Sequence, residues 1–384
     1  MTARWQSKPF EDCIEKVTYT TKIQRKDFLV VGAFPVVSQE DAFINGYWDG
    51  ADDVFRAETP LVIFGDHTKV LKYIDFDFVL GADGVKLLPP KEFLVPKFFY
   101  YQLQTAQLDS LGYARHYKLL KELEIKYPDR AEQHRIVAIL DAAFDGIATA
   151  KANAEKNLKN ARALFESHLQ SVFTKRGAGW VEATIGEVCA IKHGFAFDGV
   201  DFSTDVPKGN PLVITPGNFT ENGTLLFNER NTKRFNGDTP VGYQFNVGDL
   251  VVVMTDLSSK MKILGKPAFV ETDDVLHNQR IGRVVFSNDR VEKRLLYYFM
   301  MTEVFLKNIK GSATGTMVKH TAPKRIMSNV IPFPGNRDDQ RAIISRLDDL
   351  RAETQHLESL YQQKLTALDN LKKSLLHQAF SGAL

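Results

Sequence analysis

The sequence predicts an α+β chain. Two mixed globular blocks are separated and followed by long helices that pair as an antiparallel coiled coil, giving an internal pseudo-twofold repeat. Three observations predict this. Residues 131–176 contain no proline and a single glycine, Gly146, and their apolar residues recur at helical spacing. Residues 339–384 repeat that stretch without a gap. The chain before each stretch carries short apolar runs separated by Gly, Asp and Asn clusters, the pattern of strands joined by turns.

The first helix places Val137, Leu140, Phe144, Ile147, Leu158, Ala161, Phe165 and Val172 on one side. At about 1.5 Å per residue it runs roughly 70 Å. The second copy follows at a constant offset, Glu132 to Asp339 (339 − 132 = 207). In that register Gln133 meets Gln340, Ile136 meets Ile343, Leu140 meets Leu347 and Asp141 meets Asp348. Leu158 meets Leu365, Leu164 meets Leu371, Ser167 meets Ser374, Leu169 meets Leu376 and Phe173 meets Phe380. A shared leucine period would not carry Gln, Asp, Ser and Phe with it, so the register indicates duplication. Leu347, Leu350, Leu357, Tyr361, Leu368, Leu371 and Leu375 fall on a and d positions, with Thr354 and Lys364 as interruptions. Such a stripe needs a partner helix, and the duplicate is the best one available.

The first block, from Trp5 to about Pro128, shows strand-like runs at Phe28–Val31, Leu61–Phe64 and Phe76–Leu80, then helical spacing over Lys97–Leu111. The donor-rich segment Gly112–Lys118 follows. The Gly177–Gly179 triplet ends the first long helix. The second block opens like the first, Trp180 and Ile185 standing where Trp5 and Phe10 stood. Its strand-like runs are Leu212–Thr215 and Leu250–Met254. A helical stretch at Arg294–Ile309, a glycine-containing polar loop at Gly311–His320 and the segment Ile331–Pro334 complete it. The expected boundaries are 1–130, 131–177, 178–335 and 336–384.

Apolar residues at 44% and charged residues at 25% are ordinary for a soluble globular protein, and the length suggests two to three domains. No apolar run approaches the roughly 18 residues that cross a membrane. The first residues lack a signal-peptide pattern, so a cytoplasmic protein is expected. Two distant cysteines, Cys13 and Cys189, argue against a disulfide framework or a cysteine zinc site. A net charge of +2 provides no global basic field, so any nucleic-acid contact must come from local patches. No phosphate-cradling glycine loop, dinucleotide fingerprint or HExxH pair is present. The acids in Phe64–Lys69 and Met254–Lys260 lack the neighbouring carboxylates a metal would need. The chain is therefore expected to have no catalytic residues, metal site or cofactor of its own.

What remains are donor-rich loops. In the first block these are Asp66, His67, Thr68 and Lys69, with Lys72 nearby, and Arg115, His116, Tyr117 and Lys118. In the second they are Thr255, Ser258, Lys260 and Lys262, then Gln279 and Arg280, then Ser312, Thr314, Thr316, Lys319 and His320. Lys and Arg neutralise phosphates, while Asn, Gln and Arg reach base edges, so these are candidate DNA contacts.

The organisation resembles the specificity subunit of Type I restriction–modification systems along essentially the whole chain. The features that carry the likeness are the helix entries YPDRAEQHRIVAILD and FPGNRDDQRAIISRLD, the C-terminal KKSLLHQAFSGAL, and GWVEATIGEVCAIKHGFAF at the start of the second block. The segment TPLVIFGDHTKVLKYIDFDF resembles a target-recognition segment. The resemblance implies that each block is a target-recognition domain reading one half of a split, asymmetric double-stranded DNA target. It implies helices that fix the gap and dock two modification subunits, which carry S-adenosylmethionine and methylate adenine at N6. ATP-using restriction subunits join them. One departure is Tyr127–Pro128, where the second copy has the fuller Ile331–Pro334. The alternatives from the residues alone are a coiled-coil protein scaffold and a stand-alone DNA-binding regulator.

Overall fold

The computed structural model describes all residues except 1–4, 83, 110, 111, 113, 200, 206 and 208, and only the backbone of Phe202. The chain forms two compact units, one of residues 1–156 and 361–384, the other of residues 157–360. Both long helices therefore contribute a segment to each unit.

In the first unit the two ends of the block are zipped together. Strand Gln6–Pro9 pairs antiparallel with Glu124–Tyr127, Gln6 opposite Tyr127. Between them, the fully buried strand Leu61–Gly65 lies at the centre of a sheet with Leu71–Ile74 and Val85–Leu88. A second sheet runs Lys22–Ile23, Phe78–Gly81, Phe34–Val37 and Gly46–Trp48, with Val54–Phe55 also paired to Phe78–Gly81. Val37, Ile63, Ile74, Phe78 and Leu80 form one cluster of the core. Helix Pro96–Gln104 starts on a proline, whose missing N–H would be unpaired in the first turn in any case. It buries Phe98 and Phe99 with Phe10 and Phe64, and the same cluster takes in Ile136, Val137 and Leu140 of the helix Arg130–Thr174 and Leu376 and Ala379 of the helix Arg337–Ser381. Here the two long helices are antiparallel: Arg135 donates to the Leu384 carbonyl at 2.9 Å and Lys151 meets Asp369 at 2.7 Å.

The second unit repeats the plan. Strand Trp180–Thr184 pairs antiparallel with Val330–Pro334. One sheet orders Cys189–His193, Ile281–Phe286, Leu250–Val253 and Pro267–Phe269. The other orders Phe202–Ser203, Arg234–Phe235, Leu212–Ile214, Val275–His277 and Gln244–Phe245. Helices Lys293–Met301 and Glu303–Gly311 pack Leu296, Phe299 and Phe305 against Leu169, Phe173 and Leu347 of the long helices. Arg162 meets Glu358 at 2.9 Å.

The duplication extends to atoms. Gln133 and Gln340 are both fully buried. The Gln133 amide donates to the Phe93 and Pro128 carbonyls at 3.0 and 2.9 Å and accepts from the Val95 N–H at 2.8 Å. Gln340 donates to the Arg290 and Pro334 carbonyls and accepts from the Glu292 N–H, all at 2.8 Å. Each amide thus latches the start of a long helix to its own block. Two turns further along, Asp141 pairs with Lys97 at 2.8 Å and accepts from the Tyr101 hydroxyl. Asp348 pairs with Arg294 at 2.6 Å and accepts from the Tyr298 hydroxyl. The helix starts are capped alike, Asp129 accepting from Glu132 N–H and Asn336 from Asp338 N–H, both at 2.9 Å.

Four expectations are corrected. Phe28–Val31 is a loop with one isolated bridge, Leu29 to Tyr47; Val30 and Val31 are 91% and 81% exposed, and the neighbouring strand is Phe34–Val37. The helix expected over Lys97–Leu111 stops at Gln104, and its last two residues, Ser110 and Leu111, lie outside the described residues. The Arg294–Ile309 helix is two helices because Thr302 turns extended (φ −66°, ψ 150°) and its hydroxyl caps the second through Phe305 N–H. On the C-terminal helix, Thr354 is not an interruption but is buried at 2% exposure, its hydroxyl bonded back to the Leu350 carbonyl, while Leu357 and Leu371 stand 37% and 47% exposed. The packed stripe thus includes Thr354 and leaves Leu357 and Leu371 outside it.

Candidate nucleic-acid interface

In the first unit the strand Leu61–Gly65 delivers residues 66–69 as a tight turn. Lys69 closes it at φ 62°. Gly65 is required there, since a Cβ would lie 2.2 Å from the Thr68 hydroxyl and 2.9 Å from the Gln39 carbonyl. Gln39 holds the turn from the other side, accepting from His67 N–H at 3.1 Å on its side chain and from the Thr68 hydroxyl on its carbonyl. The turn meets the segment some fifty residues later. Asp66 accepts from Tyr117 N–H at 2.8 Å on its carboxylate, and its carbonyl accepts from His116 N–H at 2.8 Å. Two stretches singled out separately are thus one surface, presenting exposed Thr68, Arg115 and Lys118 with half-buried His67, Lys69 and Tyr117. Lys69 also donates to the Leu108 carbonyl at 3.3 Å, and Tyr117 packs edge-on to Phe10.

In the second unit, three segments converge on Met254. Its N–H donates to the Arg280 carbonyl and its carbonyl accepts from Thr321 N–H, both at 2.9 Å. Thr255–Asp256 pairs as a short strand with Lys319–His320. Asp256, 3% exposed, accepts from Ser258 and Ile263 N–H at 2.8 and 3.0 Å and so shapes the loop between them. The resulting surface exposes Ser258, Lys260, Lys262, Gln279, Arg280, Ser312, Thr314, Thr316 and His320, with Lys319 half-buried. Lys319 donates to the Gly315 carbonyl at 2.7 Å and Lys262 pairs with Glu221 at 2.8 Å in the open.

Four candidate contacts belong to the framework. Asp66, Lys72, His116 and Thr255 are 2%, 3%, 1% and 4% exposed. Lys72 sits on the inward phase of its strand and donates to the Ser38, Ala42 and Phe43 carbonyls and the Asn45 side chain. Burial pushes its ammonium down to about 8, with Glu40 and Asp41 pulling the other way. Asp66 and His116 join the two segments, and the Thr255 hydroxyl is 3.0 Å from His320 Nδ1. None of the four side chains is free to meet a duplex.

Other residues escaped sequence reasoning. Lys192, His193, Arg283 and Lys293 line one cavity of about 710 Å³ with Asp249, which pairs with Arg283 at 2.7 Å. They come from two strands and a helix, so no local cluster announced them. The same loops also expose two apolar residues, Leu257 and Met317, at 61% and 80%. Among the described residues no group of three or more His, Cys, Asp or Glu could hold a metal ion, and no helix is long and apolar enough to cross a membrane. Cys13 and Cys189 are buried, free thiols.

His277 anchors the segment carrying Gln279 and Arg280. It is 2% exposed, donates from Nε2 to the Ile281 carbonyl at 2.8 Å, and packs at a tilt against the Phe245 ring, centroids 4.6 Å apart. Burial pushes its pKa down from 6.5 to about 4. The folded chain holds it neutral, whereas the unfolded chain protonates near 6.5, so stability is full above about 6.5 and falls as pH drops toward 4. Urea unfolding between pH 7.5 and 4.5 is expected to lose roughly 2–3 kcal/mol through this group. In His277→Phe that part of the slope should vanish; an unchanged slope would refute the assignment.

The family model for the Type I restriction modification DNA specificity domain matches residues 3–160 and again 178–367. The chain is 28% identical over 365 residues to the EcoR124I/EcoR124II specificity subunit of Escherichia coli, covering 87% of this chain and 84% of that one. It is 23% identical over 205 residues to the EcoBI specificity subunit of Escherichia coli. It is 24% identical over 139 residues to the MjaVIII specificity subunit of Methanocaldococcus jannaschii. Those two alignments span only 39% and 31% of the relatives' own lengths. Among solved structures, a chain from work on assembly and conformational transition of the type I R-M system matches with TM-score 0.73 at 17% identity, covering 99% of this chain and 98% of that one. The HsdS subunit from Thermoanaerobacter tengcongensis matches with TM-score 0.54 at 17% identity, over 99% and 97%. With that model matching twice, once over each block and most of the helix that follows it, the chain belongs to the Type I restriction modification DNA specificity family.

Proposed function

We propose that the chain is the non-catalytic DNA-recognition subunit of a Type I restriction–modification complex. Each block reads one half of a bipartite, asymmetric double-stranded target, and the long helices hold the two readers at a set spacing. Two modification subunits, binding S-adenosylmethionine and methylating adenine, dock on the chain, and ATP-dependent restriction subunits join them. The observation that carries this reading is the convergence, in both units, of donor-rich loops distant in sequence onto one surface, built on a duplicated scaffold. Adenine must leave the stack to be methylated. The blocks would hold the duplex while a partner receives the base.

The test is DNA binding by the chain assembled with its modification subunit across a salt series. With six to ten phosphates neutralised, affinity should fall roughly 10³- to 10⁵-fold between 50 and 200 mM salt. A protein scaffold would bind no DNA at any salt.

Docking of two partners is supported by leucines at repeat-related positions: Leu164 in one unit is 52% exposed and Leu371 in the other 47%. Exposed leucine on a helix face suits a partner helix. Leu164→Asp and Leu371→Asp should each remove one modification subunit, and the double variant both, as read by native mass spectrometry. Full stoichiometry in the double variant would sink this assignment of the docking face.

A further inference from the structure

The second unit contains a cavity of about 910 Å³ that the DNA-binding reading does not use. Its walls come from the helices Lys293–Met301 and Glu303–Gly311, the turn carrying Met261 and Lys266, and the faces of both long helices belonging to this unit. Phe165, Leu169, Met261, Met301 and Leu306 supply apolar surface. The size and lining are those of a small-molecule site, a mostly apolar hollow with a few placed polar groups.

The charges around it are unequally engaged. Arg162 is paired with Glu358 at 2.9 Å, and Glu221 with Lys262 at 2.8 Å. Arg351 is committed to the Tyr297 hydroxyl and, at 2.8 Å, to the Asn222 carbonyl. Lys266 is different. It lines the cavity, and among the described residues no hydrogen bond or ion pair engages its ammonium. Burial pushes it down to about 8, and Lys310 lowers it further, ahead of the opposing pull of Glu166 and Glu221. Lys266 and Lys310 line the same cavity, and the second cation outweighs either carboxylate in its effect on the first, so an anion placed between the two ammonium groups would relieve both.

We propose that this cavity binds a small organic anion with a flat or branched apolar body, its anionic group between Lys266 and Lys310 and its body against Phe165, Met261 and Met301. The occupant would touch the block and both long helices of this unit at once.

Pyridoxal 5′-phosphate is a suitable probe, an aromatic ring carrying a phosphate and an aldehyde. The unprotonated Lys266 amine adds to the aldehyde carbon, water leaves, and added borohydride delivers hydride to the resulting C=N bond, fixing a secondary amine. On the full-length chain near pH 8, peptide mapping at sub-stoichiometric probe should place the adduct chiefly on Lys266, with saturable binding by absorbance. Lys266→Met should weaken binding at least tenfold. Met301→Trp, which fills the hollow and alters no charge, should weaken it similarly, with both variants keeping the parent unfolding temperature. If Lys266→Met fails to fold, half-buried Lys310→Met reads the same charge pair. Adducts spread over lysines according to exposure, or parent-like binding by folded Met301→Trp, would overturn the proposal.

Discussion

A chimera carrying residues 1–130 of another family member is expected to acquire that member's preference at one half-site and to keep its own at the other. The reason lies in where the loops meet. Asp66 and Tyr117 join the two donor-bearing segments of the first unit inside one block, and Met254 joins the three segments of the second inside the other. The loops named on each surface come from that surface's own block. Each mismatched base pair costs about 1–3 kcal/mol, so three altered pairs would lower affinity for the original half-site by several powers of ten. Mapping adenine methylation in cells that express the chimera with its modification subunits measures this. A change at both halves, or at neither, would contradict the assignment of one reader to each block.

Replacing Gln340 by leucine is expected to be among the most damaging single changes. The side chain is fully buried and satisfies three backbone groups, the Arg290 and Pro334 carbonyls and the Glu292 N–H. Leucine is close in size but leaves all three unpaired away from water, at about 1–3 kcal/mol each. For a unit of this size the unfolding temperature should fall by roughly 10 °C. Gln133→Leu should do the same to the first unit through Phe93, Val95 and Pro128. The exposed Gln362→Ala serves as control and should shift by a degree or less. Differential scanning calorimetry decides the matter, and a shift no larger than the control's would mean the latch is dispensable.

In the sequence Gln133 against Gln340 marks duplication through its register, and the latch itself is seen only in the structure. A repeated polar residue inside an apolar period has few physical reasons to persist other than burial with partners. The strands Leu61–Gly65 and Leu250–Val253 were equally legible, because a run of apolar residues flanked by turn residues has few alternatives. The site was read less well, for an identifiable reason. Lys72 has a side chain that can bond a phosphate, but strand phase turns it inward; Thr255 is covered with its neighbour Asp256 where their strand pairs with Lys319–His320. Asp66 and His116 were chosen as neighbours of exposed residues, but tertiary pairing of two distant segments turned them inward. No local pattern encodes that pairing. Thr354 and Leu357 show the same limit on a helix: a heptad template favours the leucine, while the structure buries the threonine.

The composition of the first unit has a consequence for biosynthesis. Its core includes Leu376 and Ala379, and Phe98 lies 5.1 Å from Phe380. The opening block therefore waits, incomplete, until residues 376–380 have been translated. The second unit is one unbroken span, residues 157–360. The block that precedes the first long helix is thus completed after the unit that follows it, and until then its apolar surface is open to misassembly.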